Sequence, residues 1–301
     1  MREKFNPELF AYDPAVTYAW QPFQRVTATV ITWNRLEKTK IFIDTLRRRA
    51  GMPFEVLAVD NASEDGTQEY FAELAATWPN FRVIQNRRNV GKSRGMLQLQ
   101  EALTDGLAVM FDSDIELLSN YWLVHLQKAY HAARLRFGNT DVAFGLRPLN
   151  CEEYGFGFTY EQEVLPIPHQ ANDLPRTSYA AVSKDSPDKD HLLDEQVIVG
   201  WTGHLMGNNM NMPVSVLKHI RLDELYPVGI GGDDTHVSAE LRRLGVPFGY
   251  IQNGPIVRHN DWPYTDEKVE VYTRMMQTRM VTDLPYVRWK LKALARKLRG
   301  R

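Results

Sequence analysis

Ala108-Val109-Met110-Phe111-Asp112-Ser113-Asp114-Ile115-Glu116-Leu117 is the stretch on which the fold turns. Four apolar residues run directly into two carboxylates spaced i, i+2. A short apolar run bounded by turn residues reads as a buried strand, and parallel strands covered on both faces have this composition. In open α/β sheets, ligands lie beyond the carboxyl ends of the strands. Asp112 and Asp114 therefore stand where a ligand is expected. Two hard oxygen donors there suit Mg2+ or Mn2+, ions that bridge to substrate phosphates. Asp-Ser-Asp is also ordinary turn chemistry, so the pair takes its meaning from the rest of the chain.

Upstream, strands and helices alternate. Residues 26–32 are β-branched and read as a strand, followed by a Trp33-Asn34-Arg35 loop and a helix over 36–49 that Gly51-Met52-Pro53 ends. Residues 54–60 form the next strand. It stops at Asp60-Asn61-Ala62-Ser63-Glu64-Asp65-Gly66-Thr67, a run dense in turn and helix-cap residues. A helix over 67–77 and a half-polar strand over 81–85 follow. A basic, glycine-containing loop, 86–95, then enters a helix near 96–104. This alternation predicts βαβ units and a mostly parallel, Rossmann-like central sheet flanked by helices, with right-handed crossovers.

Downstream, 120–136 reads as a helix with Trp122, Leu126, Ala129 and Ala133 on one face, and 142–146 as a strand. Residues 150–196 carry prolines and charges without periodicity, so they read either as a long loop or lid on the acceptor side or as a disordered segment. Ordered chain resumes at 197–203. Asn208 to Pro213 leads into a short helix near 214–219. A glycine-rich turn, 229–232, brings Asp233-Asp234 to the start of a helix over 235–244. A strand over 247–252 and the segment 257–260 close the core.

The 301 residues permit one large domain or two modest ones, and 44% hydrophobic residues is ordinary for a globular chain. A net charge of −1 excludes a global basic field for nucleic acid. The single cysteine, Cys151, excludes an internal disulfide and fits a reducing, cytoplasmic setting. The start of the chain lacks the apolar core of a signal peptide, and no run of about 18 apolar residues spans a membrane. Residues 1–24, rich in proline and aromatics, read as an arm packed on the domain. From Pro285 the tail has seven Lys or Arg residues and no acid. It can form a basic amphipathic helix that docks on anionic lipid at the inner face of a membrane, docks on nucleic-acid phosphate, or packs on the domain.

Taken together, the chain resembles the family 2 glycosyltransferases of the GT-A fold. The resemblance rests on Thr32-Trp33-Asn34-Arg35 after the opening strand and on Val59-Asp60-Asn61-Ala62-Ser63-Glu64-Asp65-Gly66-Thr67. It rests also on Asn86-x-x-Asn89-x-Gly91 with Arg94-Gly95, on Asp112-x-Asp114, and on the glycine-rich Asp233-Asp234 pair. It covers roughly residues 25–260. It implies a nucleotide-sugar donor, a UDP-sugar in the common case, and a bound Mn2+ or Mg2+. Donor contacts fall on Thr32, Asn34, Arg35, Asp60, Asn61, Asn89, Lys92, Arg94, Asp112, Ser113 and Trp201. Asp60 would face the uracil or ribose, and Asp112 the ribose or sugar. Asp114 would bind the metal with Asp112, and His259 is the third ligand candidate, ahead of His204 and His236. Trp201 either stacks on a sugar ring or packs in the core.

Family members carry an acidic pair such as Glu-Asp at the start of the late helix, the second residue being the base. Here the pair is Asp233-Asp234, so Asp234 is the expected general base of an inverting transfer, although Asp at a helix start also serves as a cap. The expected organisation is an arm (1–24), a GT-A domain (25–262) with donor half 25–117 and acceptor half 118–262, and a basic tail (263–301). The acceptor is open among a glycan, a lipid-linked sugar, a protein and a modified DNA base. Two other enzyme readings are a retaining GT-A transferase and a nucleotidyltransferase. The second needs a glycine-rich phosphate loop after the first strand, which Thr32-Trp33-Asn34-Arg35 is not. A non-catalytic nucleotide-sugar or carbohydrate-binding module is the remaining alternative.

Overall fold

A computed structural model describes residues 21–149, 161–166, 196–224 and 233–260. The first half follows the alternation in the sequence: β1 (Val26–Thr32), α1 (Leu36–Arg48), β2 (Glu55–Asp60), α2 (Thr67–Thr77), β3 (Phe81–Gln85), α3 (Lys92–Ala102) and β4 (Leu107–Asp112). Then come β5 (Ile115–Leu117), α4 (Trp122–Phe137), β6 (Ala143–Gly145), β7 (Arg147–Pro148) and β8 (Glu161–Pro166). The chain closes with β9 (Gln196–Trp201), β10 (Asn209–Pro213), α5 (Val214–Leu217), α6 (Asp233–Leu244), β11 (Phe248–Ile251) and β12 (Ile256–His259).

Nine strands form one sheet in the order β3-β2-β1-β4-β10-β6-β11-β9-β8. Strands β3, β2, β1 and β4 are parallel, β6 pairs parallel with β11, and only β10 and β9 run against the rest. The mixed α/β class and mostly parallel sheet are thus as the alternation predicts. Side chains on the strands alternate between two cores. Val56, Ala58, Val109 and Phe111 point to the core under α1, α2 and α4, while Leu57, Val59, Ala108 and Met110 point to the core under α3 and α6. Both faces are apolar because both are covered, which is why the strands read as continuous hydrophobic runs. Phe111 packs edge-on against Trp122 at 5.7 Å between ring centres, and a fully buried side chain of this size contributes about 1.5–3 kcal/mol.

Four local expectations are corrected. The organising stretch is not one strand. After Asp112 the chain turns and leaves the large sheet, and β5 joins a separate sheet of order β5-β12-β7. The basic loop is shorter than expected, because α3 starts at Lys92 rather than near 96; Gly91 adopts φ 83° and its N–H is held by Asn89 Oδ1 at 2.8 Å, which turns the chain into the helix early. Asn209–Pro213 is a buried central strand, not a lead-in loop. Its asparagines substitute for missing ladder bonds: Asn211 Nδ2 donates to the Phe144 carbonyl at 2.7 Å, and Asn209 Oδ1 accepts the Leu146 N–H. Part of the 150–196 loop is also a strand, since β8 pairs antiparallel with β9 through Glu163↔Val199.

Among residues 21–24, Phe23 packs on Tyr130 at 5.1 Å. The rest of the arm, the remainder of 150–196, the glycine-rich turn before Asp233 and the basic tail lie outside the described residues. Among the described residues, no helix is long and apolar enough to cross a membrane.

Candidate active site

The carboxyl ends of β1, β2 and β4 meet at one edge of the sheet, as parallel pairing of Ile31 with Val59 and with Asp112 requires. At the end of β2, Asp60 is fully buried; it accepts the Ser63 N–H at 3.2 Å and bonds from the Ser63 hydroxyl and Gln85. Its carboxylate thus holds its own loop in shape. Asn34 adopts φ 51° and locks the neighbouring loop to it, its N–H reaching Ser63 Oγ at 3.0 Å and its Oδ1 accepting the Glu64 N–H at 2.7 Å. Asp65 accepts the Leu36 N–H at 2.8 Å and the Thr67 hydroxyl at 2.6 Å, so one carboxylate serves the starts of both α1 and α2. Burial opposes its charge, but these bonds outweigh burial and hold its pKa below the usual carboxylate value. Asn61 Oδ1 accepts from Asn86 at 2.8 Å, tying the second loop to the third.

The metal candidates meet only through the small sheet. His259 is in register with Ile115 across β12 and β5, and the Asn260 N–H donates to the Asp114 carbonyl at 2.9 Å. One ligand atom from each of Asp112, Asp114 and His259 falls within 4.8 Å of the others. His259 Nε2 is 3.6 Å from Asp114 Oδ1. An octahedral ion with bonds of about 2.1 Å needs ligand atoms about 3–4.2 Å apart, so the set fits a divalent cation after a small contraction. Two carboxylates and an imidazole also suit Mn2+ by ligand type.

Charge reinforces the fit. Lys92 Nζ lies 2.7 Å from Asp112 and 2.8 Å from Asp233, and Arg35 pairs with Asp114. Carboxylates outnumber these two cations at the site. Burial, with Asp114 and Asp233 nearby, pushes the Asp112 pKa up to about 6 against the pull of Lys92. Burial would lower the Lys92 pKa, but its two carboxylate partners outweigh it and the ammonium is raised. Asp233 is held low despite burial because Lys92 pairs with it.

Asp233 and Asp234 stand in the first turn of α6. Asp233 faces Lys92, and Asp234 Oδ2 lies 3.3 Å from His204 Nε2. Gly207 completes this corner: a Cβ there would stand 2.9 Å from Asp233 Oδ2 and 3.5 Å from Lys92 Nζ. Neither His204 as partner of Asp234 nor Gly207 carries a local signal that predicts these contacts.

The remaining expected donor residues fall into different places. Thr32 is buried with its hydroxyl on Thr39 at 3.1 Å, and Ser113 is buried between the two aspartates. Asn89 and Lys92 flank the start of α3, and Arg94 is exposed on its first turn. Trp201 stands apart on β9. Its ring packs against Phe137 at 5.8 Å and Phe144 at 6.3 Å, and its N–H donates to Glu163 at 2.9 Å. The His236 ring N–H donates to the Arg221 carbonyl at 2.9 Å rather than joining the metal candidates.

The mixed α/β architecture with its large, mostly parallel central sheet is that of the glycosyltransferase fold called GT-A. Residues 27–172 match the family described as glycosyl transferase family 2. Asp233, Asp234 and His259 lie beyond the matched stretch. No curated protein matches the chain in sequence.

Solved structures match it in fold. GalNAc-T7 with UDP, GalNAc and Mn2+ superposes with a TM-score of 0.55 at 12% identity, over 86% of this chain and 48% of that one. The mannosyltransferase PcManGT from Pyrobaculum calidifontis, with GDP-Man and Mn2+, gives 0.55 at 15% identity, over 85% of this chain and 65% of that one. S. aureus TarS 1–349 gives 0.51 at 14% identity, over 86% of this chain and 66% of that one. The chain thus spans from about half to just under two thirds of these solved chains.

Proposed function

We propose that this protein is a metal-dependent, inverting glycosyltransferase that moves a sugar from a nucleotide-sugar donor, a UDP-sugar, to an acceptor hydroxyl. The observation that carries the reading is Lys92, which joins the Asp112 end of the metal cluster to the acidic start of α6. One ammonium thereby ties a metal candidate to Asp233, the neighbour of the candidate base Asp234. The fold likeness and the family match over the donor half support the same reading.

In this reading Asp112, Asp114 and His259 would hold Mn2+ or Mg2+, which would supply Lewis-acid stabilisation of a diphosphate leaving group. Asp234 accepts the proton of the acceptor hydroxyl as that oxygen bonds to the anomeric carbon on the face opposite the leaving group. Lys92 and Arg35 place fixed positive charge beside the diphosphate, where negative charge develops as the glycosidic bond breaks. Asn34 and Asp60 act by holding the loops that frame the nucleotide.

A donor panel tests this. Thermal unfolding is followed with UDP-GlcNAc, UDP-GalNAc and GDP-mannose, each with Mn2+ and with EDTA. Stabilisation by a donor that requires the metal is expected, because a ligand bound to the folded state raises the melting temperature. No shift with any donor, or an equal shift in EDTA, would overturn the proposal.

A further inference from the structure

We infer that His204 is a positioning residue for Asp234, presented by a braced segment over residues 202–207. The inference rests on the reading of Asp234 as the base. His204 Nε2 lies 3.3 Å from Asp234 Oδ2, and the other carboxylate oxygen accepts the Thr235 N–H at 2.7 Å. One oxygen is thus held from within α6, by the Thr235 N–H with the Thr235 hydroxyl at 3.5 Å, and the other by His204 from a different segment, which sets the plane of the carboxylate. The oxygen that faces His204 keeps a second lone pair with which to meet an acceptor hydroxyl.

The brace that carries His204 is tied at both ends. Its own N–H donates to Thr202 Oγ1 at 3.2 Å, the Leu205 N–H donates to Ser238 Oγ at 3.0 Å, and the Met206 N–H donates to the Tyr250 hydroxyl at 2.7 Å. Arg242 donates to the Gly203 carbonyl. Ser238 and Arg242 lie on α6, the helix that carries Asp234. His204 and Asp234 are thus referenced to the same rigid element, and their separation does not depend on a free loop. Gly207 lets the brace approach, since a side chain there would meet Asp233 and the Asp234 Cβ. An arrangement that holds a base through its neighbour acts on rate more than on binding, because a misplaced group lowers the fraction of productive encounters.

The test compares wild type, His204→Ala and His204→Gln. Release of nucleoside diphosphate from UDP-GlcNAc, UDP-GalNAc and GDP-mannose is followed in Mn2+ with water as acceptor, and donor Kd and melting temperature are measured in parallel. His204→Ala is expected to lower kcat about tenfold or more, with KM, donor Kd and melting temperature close to wild type. His204→Gln keeps an N–H donor and is expected to recover much of the rate. Wild-type kcat in His204→Ala overturns the inference alone. So does a rate loss matched by an equal loss of donor affinity or stability, or no recovery in His204→Gln. A wild-type protein that neither binds nor cleaves any of the donors removes the reading of the site, and the inference with it.

Discussion

The Lys92 ammonium lies 2.8 Å from Asp233, so the first turn of α3 is joined by charge to the first turn of α6. The same ammonium also holds Asp112 at 2.7 Å. One side chain therefore pairs with two carboxylates that come from opposite halves of the chain.

Removing that cation leaves two like charges facing one another. Lys92→Met is expected to lower stability by about 2 kcal/mol, between the cost of an exposed pair and that of a fully buried one. Mn2+ should return part of the loss, because a cation on Asp112 takes over the neutralisation. Urea unfolding in EDTA and in Mn2+ checks this; equal stability of variant and wild type in EDTA would count against the bridge.

At the metal candidates, Asp114→Asn and His259→Ala are each expected to weaken Mn2+ binding at least about tenfold, the scale seen even for outer partners of metal ligands. Isothermal titration with MnCl2 reads the effect. An unchanged Mn2+ affinity in both variants would place the metal elsewhere.

For the base, Asp234→Asn is expected to cut donor turnover about 10²- to 10⁴-fold while leaving the donor Kd within about a factor of two, because the amide keeps the size of the side chain. The comparison is steady-state nucleotide release against calorimetric donor binding. Near-normal turnover would remove Asp234 from the chemistry.

Away from the site, Glu240 is buried and pairs with Arg221 at 2.6 Å and Arg243 at 2.8 Å. The bond from Arg221, with that from Arg243, outweighs burial and holds its pKa well below the usual carboxylate value. A depressed carboxylate contributes stability that is full above the unfolded pKa of about 4.3 and is lost as pH falls towards the folded value. Glu240→Gln should therefore be less stable than wild type by on the order of 2 kcal/mol at pH 7, with the gap narrowing below about pH 4. Chemical unfolding across that range measures it, and a gap constant with pH would refute the pairing.

Gly207→Ala probes the close corner of the site. The added Cβ meets Asp233 Oδ2 at 2.9 Å, and crowding of this kind costs about 1–3 kcal/mol. Because Asp233 is the group displaced, turnover should fall more than stability. A variant with normal kcat and normal melting temperature would show that the corner opens freely.

The donor half could be read from the chain because its signals are local. Apolar runs over 26–32 and 107–112 mark strands covered on both faces, and the Asp60–Thr67 run marks a helix start through its turn and cap residues. The helices they flank appear within a few residues of the expected positions, apart from α3. The strand of Asn209 and Asn211 was not readable, because asparagine is a poor strand former and is held here through bonds to Phe144 of β6 and to Leu146 just after it, which exist only after folding.

The order of residue types along the chain determined the parallel half of the sheet and put Asp112 and Asp114 at a strand end. Tertiary structure alone decided what they meet there. His259 reaches Asp114 because β12 pairs with β5, Lys92 joins Asp112 to Asp233, and His204 faces Asp234 through a brace anchored on α6. Strand and helix periodicity are set by neighbours a few residues apart, whereas these contacts are set by strand pairing and charge between segments far apart in sequence.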